Sequence, residues 1–140
     1  MIFRLTLLQF ELARQKTVIE QIRKSNAPRL LLVELKGTEV KPSGSIKILL
    51  DPQTVGGSFI AYDLPTLSDE HDYQLWFLKD GKPFDAGVFQ VNEKGGFIGE
   101  VQHLPEKLTG ITAFAITREP KGGSQTPTMP IYWVGAVQAG

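Results

Sequence analysis

From residue 30 onward the chain is a succession of short patterned runs, and this most constrains its fold. Eight runs rich in aliphatic, aromatic and β-branched residues lie at 30–36, 44–50, 58–64, 73–78, 86–91, 97–102, 111–118 and 131–137. Glycine, proline, asparagine or aspartate separates them. Runs of this length with turn residues between them read as strands. No strand–helix alternation is present, so a parallel α/β sheet is not expected. The spacing predicts an all-β domain, a mostly antiparallel β-sandwich of about eight strands. The run at 58–64 places Phe59, Ala61 and Asp63 on one face and Ile60, Tyr62 and Leu64 on the other, with Pro65 as its stop. Residues 104–110, Leu-Pro-Glu-Lys-Leu-Thr-Gly, suit one short helical turn.

The densest apolar run, Tyr73 to Leu78, is followed at once by Asp80-Gly81. That dipeptide accepts the positive φ angles of a two-residue hairpin turn. Pro83 breaks the pattern and Ala86 to Val91 resumes it, so a β-hairpin is expected at the centre of the domain.

Before residue 28 the pattern changes. Leu5 to Lys24 has no glycine or proline and is dominated by good helix formers. Leu5, Leu8, Leu12, Gln15, Ile19 and Ile22 recur at alternating spacings of three and four, an apolar seam with one polar member. Such a seam serves either a helix packed on its own domain or a homodimer through the helix Leu5–Lys24. Ser25-Asn26-Ala27-Pro28 ends it, because the residue before proline is pushed out of helical angles. The expected organisation is therefore a juxtamembrane or coiled-coil-like amphipathic helix over 1–27 and a β-sandwich over 28–140.

Fifteen basic residues balance fifteen acidic ones, so charge gives no reason to expect direct binding of nucleic acid. Without cysteine, the chain has no disulfide, thiolate metal site or cysteine nucleophile. No apolar run approaches the roughly 20 residues of a membrane-spanning helix, and residues 1–10 lack the pattern of a signal peptide.

Candidate chemistry is sparse. His71 sits in Asp69-Glu70-His71-Asp72, a polar loop before a strand, and His103 precedes Leu104-Pro105. Neither has a second ligand at a metal-binding spacing. Ser124 lies in a glycine loop, not in a nucleophile elbow. Glu100 and Glu106 have nothing to fix their separation. Trp76, Trp133, Tyr62, Tyr73 and Tyr132 read as core, with a sugar- or peptide-binding platform as the alternative. No catalytic, cofactor-binding or metal-ligating residue is assigned, and no cofactor is expected.

Several pieces carry a resemblance. Tyr73-Gln74-Leu75-Trp76, Asp80-Gly81-Lys82-Pro83 and Ala86-Gly87-Val88-Phe89 come first. Then follow Leu104-Pro105, Ala113-Phe114-Ala115-Ile116-Thr117, Glu119-Pro120-Lys121-Gly122-Gly123-Ser124 and Thr126-Pro127-Thr128-Met129-Pro130-Ile131. Upstream, Leu35-Lys36-Gly37-Thr38 and Asp63-Leu64-Pro65 also fit. In this order the set, covering about 30–135, resembles the extracytoplasmic C-terminal domain of the anti-sigma-K-factor family. The resemblance implies a non-enzymatic regulatory or sensory domain that acts indirectly on an extracytoplasmic-function sigma factor. The sigma factor would be bound by a domain these residues do not contain, and a single membrane helix would tether the β domain outside the membrane. On that plan the chain is either an ectodomain of a longer protein or a stand-alone relative. Two other readings stay open: a carbohydrate- or peptide-binding module, and a hydrolase that joins His71 or His103 to Ser124.

Overall fold

The computed structural model describes residues 30–137. Eight strands follow in chain order: β1 (Leu31–Gly37), β2 (Ser45–Asp51), β3 (Gly56–Tyr62), β4 (His71–Lys79), β5 (Lys82–Phe89), β6 (Phe97–Glu100), β7 (Ile111–Pro120) and β8 (Trp133–Ala136). They form one antiparallel sheet in the order β5-β4-β7-β8-β1-β2-β3-β6. The all-β expectation holds, but the two layers are one continuous sheet curled into a near-barrel. The predicted helix and the 1–27 boundary lie outside the described residues.

β1 is where the sheet turns over. Leu31 to Leu35 pair with β2, whereas Lys36 and Gly37 pair with β8. One strand thus belongs to both halves. β8 approaches closely: a Cβ on Gly135 would lie 2.2 Å from the carbonyl oxygen of Glu34, so no larger residue fits there without moving backbone. The free edges, β5 and β6, meet after β6 ends. The Val101 N–H donates to Gly57 O at 2.8 Å, and the next residue, Gln102, donates its N–H to Ala86 O at 2.9 Å. Beneath this closure Phe59, Phe89 and Phe97 pack with ring centroids 5.0–5.4 Å apart.

Side-chain alternation explains the core. β2 buries Ile46, Ile48 and Leu50 and exposes Lys47 and Leu49. β3 buries Phe59 and Ala61. The sequence pattern then runs on to Leu64, but the strand stops at Tyr62. Asp63 takes a left-handed φ of 60°, which ends the pleat and returns Leu64 to the core. Asp63, not Pro65, is therefore the stop.

The hairpin forms as expected, with φ of 52° at Asp80 and 76° at Gly81 and Lys79 opposite Lys82. Its place is different. β5 is an edge strand, so the hairpin is the margin of the sheet and not its centre. That also explains why Pro83 lies inside β5, opposite Leu78: an edge strand tolerates a missing N–H. Residues 104–110 form loop and turn without a helical turn, and the Ile111 N–H bonds Leu108 O.

β4 is buried along both faces from Asp72 to Phe77. Tyr73, Leu75 and Phe77 point into the core cluster. Tyr73 keeps its hydroxyl satisfied by donating to Pro65 O at 2.6 Å. Burial pushes its phenol up to about 12; Tyr132 adds to the shift and Arg118 opposes it. The opposite face of β4, with Asp72, Gln74 and Trp76, is covered by the loop between β7 and β8.

Candidate functional site

All the polar residues buried among the described ones, Asp72, Gln74, Thr117 and Glu119, lie on that one face. Register explains the clustering. Asp72 is opposite Glu119, Gln74 opposite Thr117, and Trp76 opposite Ala115. With a period of two, these side chains share the face of β4 and β7 that points away from the core. The loop 121–130 folds back over them.

Glu119 is 1% exposed and holds the loop down. One carboxylate oxygen accepts from the Thr117 hydroxyl at 2.5 Å and the Thr128 N–H at 2.8 Å. The other accepts from the hydroxyls of Ser124, at 2.8 Å, and Thr128, at 2.6 Å. Four donors fill both oxygens, so the group is a clamp with no free lone pair directed at a substrate. Thr117 also accepts from the indole N–H of Trp76 at 2.9 Å, which supplies the partner a fully buried tryptophan needs.

Gln74 adds a second clasp. Its oxygen accepts from the Ser124 N–H at 2.8 Å, and its amide donates to Ser124 O at 3.0 Å and to the Asp85 carboxylate at 2.9 Å. Ser124 is thus held through its amide, its carbonyl and its hydroxyl. Asp72 accepts from the Gly122 N–H at 2.9 Å. At Gly123, φ is 91° and an added Cβ would lie 2.7 Å from Val88, so the loop can approach β5 only with glycine there.

Electrostatics favour the charged clamp. Burial works to raise the pKa of Glu119, but the bonds from Thr117, Thr128 and Ser124 outweigh it and leave it below its ordinary value of 4.5. The folded state therefore binds this proton more weakly than the unfolded chain. The stabilisation is complete above the unfolded value and is lost as pH falls through the lower folded one. Urea midpoints should accordingly fall as pH drops below the ordinary value of 4.5, and Glu119→Gln should flatten that part of the profile. An equal slope in the variant would show that other carboxylates govern it.

The residues weighed for chemistry do not converge. His71 belongs to β4, not to a preceding loop, and its Nδ1 lies 3.0 Å from the Ser68 hydroxyl. His103 is exposed with a left-handed φ of 60° and pairs with Asp85 at 3.1 Å. Neither imidazole hydrogen-bonds Ser124, whose hydroxyl is spent on Glu119. Glu100 and Glu106 are both exposed. Trp76 and Trp133 are fully buried and Tyr73 nearly so, leaving Tyr62 as the exposed member of the five aromatics and no tryptophan for a ligand platform. Among the described residues no group of three or more His, Cys, Asp or Glu could hold a metal.

A family model for the C-terminal domain of the anti-sigma-K factor rskA matches residues 5–131. The match runs through β1 to β7 and ends just after the clamped loop. The chain belongs to the anti-sigma-K factor family. No curated protein and no solved structure gives a significant match. Two segments that carried the resemblance, Glu119 to Ser124 and Thr126 to Ile131, prove to be one structural unit in this family member. They supply Glu119 and its partners Ser124 and Thr128. Sequence reasoning ended the last long strand at Arg118 and so missed the clamp. The available signal was the alternation Ala115, Thr117, Glu119 facing Asp72, Gln74, Trp76.

Proposed function

We propose that this chain is the extracytoplasmic regulatory domain of an anti-sigma factor, acting on an extracytoplasmic-function sigma factor indirectly and without catalysis. Membership of the family across residues 5–131 carries the reading. The clamp geometry supports the non-catalytic part of it: the buried Glu119 carboxylate is saturated by donors of its own chain and holds the loop 121–130 in place. On this reading a domain elsewhere in the full-length protein holds the sigma factor, and residues 5–24 lead to a membrane tether. The seam in those residues serves either to pair two copies or to pack on the domain, and the surface described below favours the second.

Location and regulation are tested separately. The chain has no cysteine, so Val40→Cys, at a 45% exposed position outside the apolar band of the sheet, introduces a unique label site within it. In intact cells producing the full-length protein, a membrane-impermeant maleimide should label that cysteine; labelling only after lysis would place the domain inside. Deleting residues 30–137 from the same protein should change expression from a promoter dependent on its sigma factor. Unchanged expression with the protein still present would remove the regulatory role.

A further inference from the structure

The outer face of the β1–β2–β3–β6 half carries an apolar band that no described residue covers. Leu30, Leu32, Leu49, Ile60 and Ile98 are 56, 54, 42, 41 and 76% exposed. Leu32 is opposite Leu49 and Ile60 is opposite Ile98, so the band runs diagonally across four strands. A groove of about 310 Å³ lies between Leu32, Leu49, Ile60 and Ile98. Five large apolar side chains gathered on one sheet face mark a surface that another layer covers.

We propose that residues 5–24 dock as an amphipathic helix on this face of the same chain. The chain arrives there: Leu30 is both the residue before β1 and the first member of the band. Residues 25–29 can span up to about 17 Å, more than the roughly 10 Å that separates packed layers. A twenty-residue helix is about 30 Å long and a seven-residue strand about 23 Å, so the helix covers the strands from end to end. Leu5, Leu8, Leu12, Ile19 and Ile22 supply a matching apolar stripe. The family match also begins at residue 5, so segment and sheet are matched as one unit. A second copy of the chain is the competing occupant, and it would make protection of the segment depend on concentration.

This inference rests on the surface and the seam, and it stands whether or not the regulatory reading does.

Hydrogen exchange on the full 140-residue chain, read by mass spectrometry at two protein concentrations, tests the docking. Amides of residues 5–24 should exchange about tenfold or more slowly than unstructured peptide, equally at both concentrations. Ile60→Lys with Ile98→Lys should abolish that protection while the near-ultraviolet signal of buried Trp76 and Trp133 persists. Leu8→Lys with Leu12→Lys, which leaves the β domain untouched, should do the same. Absent protection in the wild type, protection surviving the seam substitutions, or protection rising with concentration beside a dimer in light scattering would each overturn the proposal.

Discussion

Glu119→Ala is expected to lower stability by about 2–4 kcal/mol, since removing one partner of a buried charged network strands the others. The carboxylate takes four hydrogen bonds, from Thr117, Ser124 and both the amide and hydroxyl of Thr128. Alanine leaves these donors under the loop without an acceptor. Thr128 is exposed and can turn to water, whereas Thr117 is fully buried and cannot. The loss therefore falls short of the full sum of four bonds. Glu119→Gln keeps the shape and one acceptor oxygen but presents an amide to donors, so its cost should be smaller. With a slope of about 1–3 kcal/mol per molar urea, the alanine variant should show a clear fall in midpoint. Trypsin should also cut after Lys121 much sooner, because the loop no longer holds its clamp. A variant with the wild-type midpoint and cleavage rate would mean the clamp is not what seats the loop.

Trp133→Ala should cost about 3–5 kcal/mol, the range for emptying a large aromatic site in a packed core. Trp133 is fully buried on the short strand that joins the two halves of the sheet, opposite Ile116 on one side and Gly37 on the other. Its ring meets Tyr73 edge-on at 5.4 Å, and its indole N–H donates to Gly44 O at 3.3 Å. Gly44 has a φ of 91°, and an added Cβ there would lie 2.5 Å from Asp63 O. The tryptophan thus fastens β8 to the connection between β1 and β2 as well as filling the core. Trp133→Phe retains most of the packing and loses the N–H, and about 1–2 kcal/mol is expected for it. Domains of this size have about 5–15 kcal/mol to lose, so the alanine variant should be marginal at 37 °C. Near-equal urea midpoints for the alanine and phenylalanine variants would show that the cavity is refilled and that packing at β8 is not decisive. The family match ends at Ile131, two residues before this strand begins, so the strand that completes the sheet lies beyond the matched segment.

Much of the fold was legible because it is local. Alternation along β2 and β3 placed Ile46, Ile48, Phe59 and Ala61 inside, and Asp80-Gly81 set the register of its hairpin. Burial of both tryptophans followed from their apolar surroundings. The misreadings were also local in origin. Pro83 reads as a break because sequence does not reveal that its strand is an edge. Asp63 kept the alternation on paper, yet its left-handed backbone ended the strand. Glu119 falls outside the strand pattern, which ends at Arg118 because Pro120 follows, and Asp72 reads as polar loop because it sits in Asp69-Glu70-His71-Asp72.

By itself, then, the sequence determined the strands, their inward faces, the hairpin turn and the family, all of which are written within a few residues or in ordered motifs. The tertiary structure decided the rest. It placed β8 between β7 and β1, closed the sheet through Val101 and Gln102, and made Glu119 a clamp in place of a surface charge. Each of these depends on partners far apart in the chain, as with the Thr38 hydroxyl on Ile131 O, 93 residues away, or Trp76 on Thr117, 41 away. A carboxylate is buried or exposed according to the donors that gather around it. Those donors are collected by the folding of the whole sheet, not by the neighbours of Glu119 alone.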